Sequence, residues 1–282
     1  MPIATTPRLR PTAACIPLAL ALLASAGSAH AELFPSTATE VQASGACRSE
    51  LWFSQYESRW QGQKQQGYRG VTELGCGVTD RLDLRVGVSH SDSESWRSDG
   101  AHFGARLRLF GQPRDATQIS LGTNIYASGF NGAPDQDGFR YRSAGFSLAA
   151  RHESPQGHRF EGRLGHNRPR GGGSWEDWSL SYAYALSPAW ELVADAQGSS
   201  GQKPWHALGL RWSPSNTWQF AAQVGKPRAP EGFGSPATDR SLAVRWTPSR
   251  AWQLTGTLSH RPANGPSFVE FTGLGLNLRH DF

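Results

Sequence analysis

The feature that most constrains this chain is a strict alternation of apolar and polar residues over segments of eight to twelve residues. In the last segment, Leu274, Leu276 and Leu278 alternate with small or polar residues. Successive side chains of a β-strand point to opposite faces, so a period of two indicates strands with one apolar face. After residue 31, no apolar stretch approaches the roughly 20 residues of a membrane-spanning helix. The sequence therefore predicts an all-β chain.

The polar faces of these strands carry long charged side chains in mid-strand, while the opposite faces carry mostly Leu, Val, Phe and Ala. A soluble β-sandwich also alternates, but charges lining one face of every strand suit a closed sheet with lipid outside and water inside. We therefore expect a transmembrane antiparallel up-and-down β-barrel with a polar lumen. The charges predicted to face that lumen are Arg85, Arg106, Arg108, Arg151, Arg163, Arg211, Arg245, Arg279, Glu50, Glu73, Asp83, Glu161, Glu191 and Asp195.

The connections between the predicted strands alternate between short and long, as in bacterial outer-membrane barrels with tight periplasmic turns and longer external loops. Six short and seven long connections give fourteen strands, with both termini at the periplasmic end; twelve strands remain an alternative if one pair is split wrongly. The short connections are 79–81, 111–116, 154–157, 187–189, 213–217 and 247–250. The long ones lie near 59–69, 91–100, 129–138, 167–175, 198–204, 226–239 and 260–268.

The N-terminus has the three parts of a cleaved export signal. Arg8 and Arg10 precede the short apolar run IPLALALL, and an Ala-His-Ala cleavage site follows. We therefore predict a signal peptide over 1–31, a short periplasmic segment over 32–45 and the barrel over 46–282. The short segment is too small for a sizeable plug, so we expect it not to block the barrel, although side chains or inward-folded loops could still constrict the lumen.

Composition gives no support for nucleic-acid binding, for a cofactor or for a metal site. The net charge is +5, two of those charges leave with the predicted signal peptide, and no block of Lys or Arg is present, so we expect no nucleic-acid partner. We also expect no cofactor and no metal site. An alternative is that acidic loop residues bind Ca²⁺ or bridge lipopolysaccharide, although the spacing of a calcium loop is absent. These residues are Asp92, Glu94, Asp99, Asp135, Asp137, Glu176 and Asp177.

The two cysteines of the exported chain, Cys47 and Cys76, are predicted to form a disulfide. The first hairpin folds near residues 61–62, which places Cys47 and Cys76 directly opposite each other. Opposed residues of an antiparallel pair have Cβ atoms about 4.5–5.5 Å apart, and an oxidising compartment allows the bond to persist. We expect a structural bond near the periplasmic rim.

Three hairpins repeat one phrase, in which Ser-Pro or Thr-Pro forms the turn and Trp flanks it. Proline presets the backbone angle of a tight turn. The flanking indoles would share one depth, and in a barrel that depth is the periplasmic interface, where aromatic rings form a girdle. The alternative is packing over the turns of a soluble sheet. The predicted girdle consists of Trp190, Trp212, Trp218, Trp246 and Trp252.

Two segments resemble known outer-membrane families. The end of the chain, with Leu276, Leu278 and a terminal Phe282, resembles the C-terminal signature that the barrel-assembly machinery reads, although His280 replaces the usual aromatic or aliphatic residue. The segment ELGCGVTDRLDL, residues 73–84, resembles a hairpin of outer-membrane transporters grouped with phenol meta-pathway degradation proteins. These resemblances imply an assembled outer-membrane barrel, and the second implies transport of aromatic compounds.

Taken together, these observations predict a passive channel or transporter for small solutes in the outer membrane, in contact with outer-membrane lipid and lipopolysaccharide. The excess of arginine predicts weak anion preference, unless the charges pair with one another. One alternative is a structural or surface-interaction barrel without transport. A second is an outer-membrane hydrolase using His90 or His260, which stand next to serines at the strand ends, but we expect no enzyme because no spacing brings a nucleophile to either histidine.

Overall fold

A computed structural model describes residues 33–34, 39–60, 63–93, 96–131, 140–200, 204–226, 238–262 and 270–282. They form a closed barrel of fourteen antiparallel strands, which confirms the predicted fold and excludes twelve strands. No helix among the described residues is long and apolar enough to cross a membrane. The strands are β1 Cys47–Trp60, β2 Gln63–Thr79, β3 Leu82–Ser93, β4 Trp96–Phe110, β5 Thr117–Asn131, β6 Arg140–Glu153, β7 His158–Pro169, β8 Trp175–Ser187, β9 Trp190–Ser199, β10 Trp205–Trp212, β11 Trp218–Lys226, β12 Asp239–Trp246, β13 Trp252–Arg261 and β14 Glu270–Asp281.

The barrel closes because each strand pairs with its neighbours in the chain and β1 pairs with β14. The β1–β14 register runs from Arg48 opposite Asp281 to Arg59 opposite Glu270. At the end of this pair, Cys47 and Phe282 exchange both backbone hydrogen bonds, at 2.7 and 2.9 Å. The ring therefore has no free strand edge at which another chain could add.

The wall is much taller on one side than on the other. The predicted short turns are all present, but β2 has 17 residues whereas β10 and β12 have 8 each. The expectation of long loops near 59–69 and 91–100 is wrong, because β1 to β4 continue through most of both segments. These residues are polar on both faces, so their alternation is lost, while their backbone groups still pair across the hairpins.

Exposure assigns the two faces of the wall. Along β10, Ala207 is 4% exposed and Leu208 is 65% exposed. The same alternation runs round the ring, with Leu, Val and Phe on the exposed face and Ser, Gln, Gly and charged residues on the covered one. In a single-layer barrel the covered face is the inner one, so this fold has its apolar surface outside.

Inward-facing aromatic rings pack against glycines on neighbouring strands. A Cβ at Gly67 would meet the ring of Tyr56, and one at Gly100 would meet that of Tyr126. Glycine leaves backbone exposed and weakens a strand, and an aromatic ring lying over it restores the lost contact. The pairs therefore help to stabilise the tall side of the wall.

The outward face at the turn end carries the five predicted indoles. Trp190 lies directly opposite Trp212, with ring centroids 5.7 Å apart, and Trp218 lies opposite Trp246 at 6.0 Å. Trp252 stacks on His280 at 4.0 Å. The rings thus form one aromatic belt on the side that would face lipid, and its place at a membrane interface stays a prediction.

The departure of His280 from the usual C-terminal pattern has a structural reason. Its ring stacks between those of Trp252 and Phe282, at centroid distances of 4.0 and 5.3 Å. A flat conjugated ring at this position can fill the place of the usual aromatic residue. Recognition of Phe282 by the assembly machinery remains a prediction.

Cys47 and Cys76 form the predicted disulfide. The β1–β2 register places the two residues directly opposite each other, and their sulfur atoms are 2.15 Å apart. They are 29 residues apart in sequence. The bond joins the first two strands at the turn end, on their outward face.

We expect Cys47→Ser to lower the free energy of unfolding by about 3 kcal/mol, because the bond closes a loop of intermediate length in the unfolded chain. The measurement is thermal unfolding in detergent, in which the fraction unfolded is read from the folded and unfolded bands on cold electrophoresis. The double variant Cys47→Ser/Cys76→Ser should match the single variant. Peptide mapping of the unaltered protein without reductant should recover the two cysteines in one linked pair, and two free thiols would contradict the assignment.

Candidate functional site: the barrel lumen

The lumen is lined at the turn end by charged side chains from most strands. Asp83 is fully buried, Arg211 is 4% exposed, and Asp195 is also buried. Each stands at an alternate position from the exposed apolar residues of its strand. The other charges predicted to face inward, from Arg85 round to Arg279, share this alternation. Alternation also places Arg48 and Arg159 on this face, which the sequence analysis did not single out.

Many of these arginines are paired with carboxylates. Arg85 contacts Glu73 at 3.0 Å and Asp83 at 3.2 Å, and Glu73 also accepts a hydrogen bond from His102 at 2.8 Å if that nitrogen is protonated. Ion pairing was one of the two expectations for the inward charges, and the structure shows it at several positions. The remaining pairs include Arg151–Glu153, Arg159–Glu191, Arg163–Asp177, Arg211–Glu191 and Arg279–Asp281.

The N-terminal segment contacts this inner face on one side of the barrel. We use the name for the described residues 33–34 and 39–46. Arg108 on β4 donates to the carbonyl oxygen of Val41 at 2.9 Å, and Arg106 donates to that of Glu40. The Asp83 carboxylate on β3 accepts the backbone N–H of Gln42 at 3.1 Å. The segment therefore binds through its backbone as well as through its side chains.

The same segment also contacts the far side of the barrel. Arg211 on β10 donates from Nε to the carbonyl oxygen of Leu33 at 2.6 Å. The guanidinium of Arg245 on β12 lies 4.0 Å from the centre of the Phe34 ring. Leu33 and Phe34 form a buried apolar cluster with Ala221 and Ala243.

These two sets of contacts place the described residues of the segment against two nearly opposite sides of the lumen. Strands β3 and β11 are separated by five strands in the shorter direction round the ring, so they stand nearly opposite each other. The sequence predicted a periplasmic segment over 32–45 that leaves the lumen open, whereas its described residues lie inside the barrel. The contacts are chiefly backbone carbonyls on arginines, for which a sequence pattern carries no signal. Residues 35–38, and the predicted signal peptide over 1–31, lie outside the described residues.

The hairpin motif over residues 73–84 is where the segment docks. Gly77 and Ser44 form a parallel bridge, and a Cβ at Gly77 would collide with the carbonyl oxygen of Ala43. The Asp80 carboxylate accepts the backbone N–H of Ser44 at 3.1 Å. Asp83, six residues after Gly77, binds the segment as described above. The glycine and the two aspartates of this motif therefore have a shared structural role that the sequence analysis missed.

Arg245 differs from the paired arginines. Its Nε is buried and has no hydrogen-bond partner among the described residues. Its guanidinium stacks on the ring of Phe34 instead. Burying an unpaired donor costs free energy, so a hydrogen-bond acceptor brought to this nitrogen would be bound favourably. Arg245 is therefore one place on the inner face where an added acceptor could be bound.

The histidines proposed for a hydrolase point away from the neighbouring serines. His90 faces outward and contacts Asp99, whereas Ser89 and Ser91 face inward. His260 likewise faces outward and contacts Thr272 at 3.1 Å. Consecutive strand residues lie on opposite faces, so a serine next to a histidine in sequence cannot reach its ring. Among the predicted acidic loop residues, Glu94, Asp135 and Asp137 lie outside the described residues.

Solved structures share this fold. No protein family and no curated protein matches the sequence. A deltaS2S3 mutant of the monoaromatic hydrocarbon channel TodX matches with a TM-score of 0.57 at 8% identity, covering 89% of this chain and 94% of that chain. This chain has the barrel fold of that channel. The toluene transporter TbuX of Ralstonia pickettii gives 0.53 at 8% identity over 85% and 90% of the two chains. A Pseudomonas aeruginosa FadL homologue gives 0.50 at 10% identity over 85% and 90%.

We expect Gly77→Ala to loosen the N-terminal segment, because the new methyl group must displace the carbonyl of Ala43. Hydrogen exchange of the peptide covering 39–46 should become at least roughly tenfold faster, as expected for loss of backbone hydrogen bonds. Gly70→Ala is the control, because a Cβ there meets nothing within 4 Å. Equal exchange in both variants would show that Gly77 does not hold the segment.

Proposed function

We propose that this protein is a passive outer-membrane channel for small solutes, and that the N-terminal segment closes its periplasmic end. The observation that carries the proposal is the segment itself, which contacts two nearly opposite sides of a lumen lined by charged side chains. A barrel serving only as a scaffold needs no such insert, whereas a channel needs a means of limiting flow. The similarity in fold to hydrocarbon channels and a toluene transporter supports the same function.

The solutes we propose are small organic molecules that combine an aromatic or apolar part with a polar or anionic group. Two observations support this class. The segment presents Leu33 and Phe34 to Arg211 and Arg245, so an apolar group and an oxygen acceptor already occupy this place together. The hairpin over 73–84 resembles transporters grouped with phenol meta-pathway proteins, which points to aromatic compounds.

The proposed location follows from the signals at both ends of the chain. Residues 1–31 have the parts of a cleaved signal peptide, and the chain ends in Phe282 with alternating leucines upstream. The outward face carries apolar residues above an aromatic belt, as lipid on that side requires. We therefore propose export, assembly by the barrel-assembly machinery and contact with outer-membrane lipid.

Deleting residues 33–41 should raise single-channel conductance in a planar bilayer severalfold, because the lumen then loses the residues that contact its two opposite sides. Replacing 33–41 by a Gly-Ser stretch of equal length is the matched control, since it keeps the length of the chain but removes the side chains of Leu33, Phe34 and Glu40. We expect this second variant to flicker between closed and open levels. Equal conductance in the unaltered protein and the deletion would contradict the gate, and no conductance in either would favour a barrel without transport.

Replacing Arg245 with Gln should shift the reversal potential of the segment-deleted channel toward cations, because it removes a positive charge from the inner face. Arg240→Gln makes the same change on the outward face of the same strand, and should leave the potential unaltered. The unsubstituted channel should prefer anions weakly. A preference for cations in that channel would reject an arginine-dominated lumen.

A further inference from the structure

A row of basic side chains crosses the outward face of four neighbouring strands at the end of the barrel away from the termini. We call His206, Lys226, Arg240 and His260 the basic row. Each stands at an alternate position from the covered residues of its strand, in line with the apolar residues of the outer face. His206, Lys226 and Arg240 are exposed, and His260 is partly exposed.

The strand register brings these side chains together in two direct pairs. His206 lies opposite Lys226 on β10 and β11, and Arg240 lies opposite His260 on β12 and β13. Val224 lies opposite Arg240, so Lys226 is a diagonal neighbour of Arg240. Lys226 and Arg240 are the two permanent charges of the row, and each lies opposite an imidazole whose ring N–H can donate to the same anion. The arrangement thus calls for a negatively charged partner.

One described carboxylate of the outward face lies beside the row, Glu270 of β14, which is diagonal to His260 and stands directly opposite Arg59 of β1. Lys226 and Arg240 have none on their own strands. On β10 to β13, the described outward positions carry no Asp or Glu. Asp239, the nearest carboxylate in sequence to Arg240, faces inward and binds Arg261 at 2.8 Å. The basic residues at the same end of β1 and β2 differ, because Arg59 and Lys64 both form ion pairs with Glu57 on the outward face, at 2.9 and 2.8 Å.

The height of the row matches a lipid headgroup. Lys226 stands eight residues above the Trp218 of the aromatic belt. A strand rises about 3.4 Å per residue and tilts by about 40° in such barrels, so the row lies roughly 20 Å above the indoles. The apolar band of outer-membrane barrels is about 25 Å tall. The row therefore lies at the upper boundary of the band, where the phosphates of the facing leaflet are found.

We propose that the basic row binds the phosphorylated sugar headgroup of lipopolysaccharide on the short side of the barrel wall. The chemistry is that of two phosphates held by an arginine, a lysine and two histidines through charge-assisted hydrogen bonds. Here the wall is lowest and the row sits slightly inside the ordinary thickness of the apolar band, so a bound headgroup is drawn toward the membrane centre. The inference rests on the proposed outer-membrane location and not on solute transport.

The test titrates bisphosphorylated lipid A into phosphatidylcholine nanodiscs that hold the full exported chain, and measures the lipid bound by native mass spectrometry. Lys226→Gln/Arg240→Gln should weaken binding roughly tenfold, because each basic residue contributes to the attraction of an anionic headgroup. The matched control is Arg59→Gln/Lys64→Gln, which removes the same charge at the same end and should change binding less than twofold. A heat-modifiable band on cold electrophoresis establishes that both variants are folded.

Two further arms use the unaltered protein and need no variant. Dephosphorylated lipid A should bind at least roughly tenfold more weakly than the bisphosphorylated form, and phosphatidylglycerol should bind as weakly. Full affinity in the basic-row variant, an equal loss in the control variant, or equal binding of phosphatidylglycerol would each overturn the proposal. Because the readout is lipid binding, a channel that fails to conduct would leave these results unaffected.

Discussion

The structure depends on the pairing of every strand with two neighbours. A strand placed among apolar groups must satisfy its backbone N–H and C=O groups within the sheet, because no water is there to do so. The β1–β14 pair completes that requirement, and the mutual bonds of Cys47 and Phe282 extend it to the last residue. With the backbone satisfied in this way, the outer side chains are free to be apolar and the inner ones free to be charged.

An inner face of this kind creates its own requirement. Charges removed from bulk water need partners, and the carboxylates of neighbouring strands serve many of them. Arg106 and Arg108 instead donate to carbonyl oxygens of the N-terminal segment. The segment is therefore part of the electrostatic balance of the lumen. A carbonyl oxygen carries only partial charge, so an anionic solute can compete with it for the same guanidinium.

The sequence predicted the fold well and the site in part. Alternation located the strands wherever one face was apolar, as in β3 and β14. The pairing of Cys47 with Cys76 followed from counting residues outward in both directions from the centre of the first hairpin. Alternation gave no signal near 59–69, where both faces are polar and only backbone pairing continues the strands. The position of the N-terminal segment was missed because Asp80 was interpreted only as a turn residue and Gly77 only as part of a family resemblance. Both also contact residues 43–46, and no sequence pattern links the two segments.

The choice of arginine in the lumen explains how the segment is held, and how the proposed gate would release it. Arg211 donates from Nε to Leu33 and from a terminal nitrogen to Glu191, and Arg108 divides its donors between Val41 and Gln112. A guanidinium has five donors in a rigid plane, so it can bind wall and segment at once, which a lysine with its single nitrogen does less precisely. If the segment left, Arg108 would keep its bond to Gln112 and Arg211 its bond to Glu191. Release of the segment would cost these arginines one acceptor each, in addition to the backbone bonds at Asp80 and Asp83 and the buried contacts of Leu33 and Phe34.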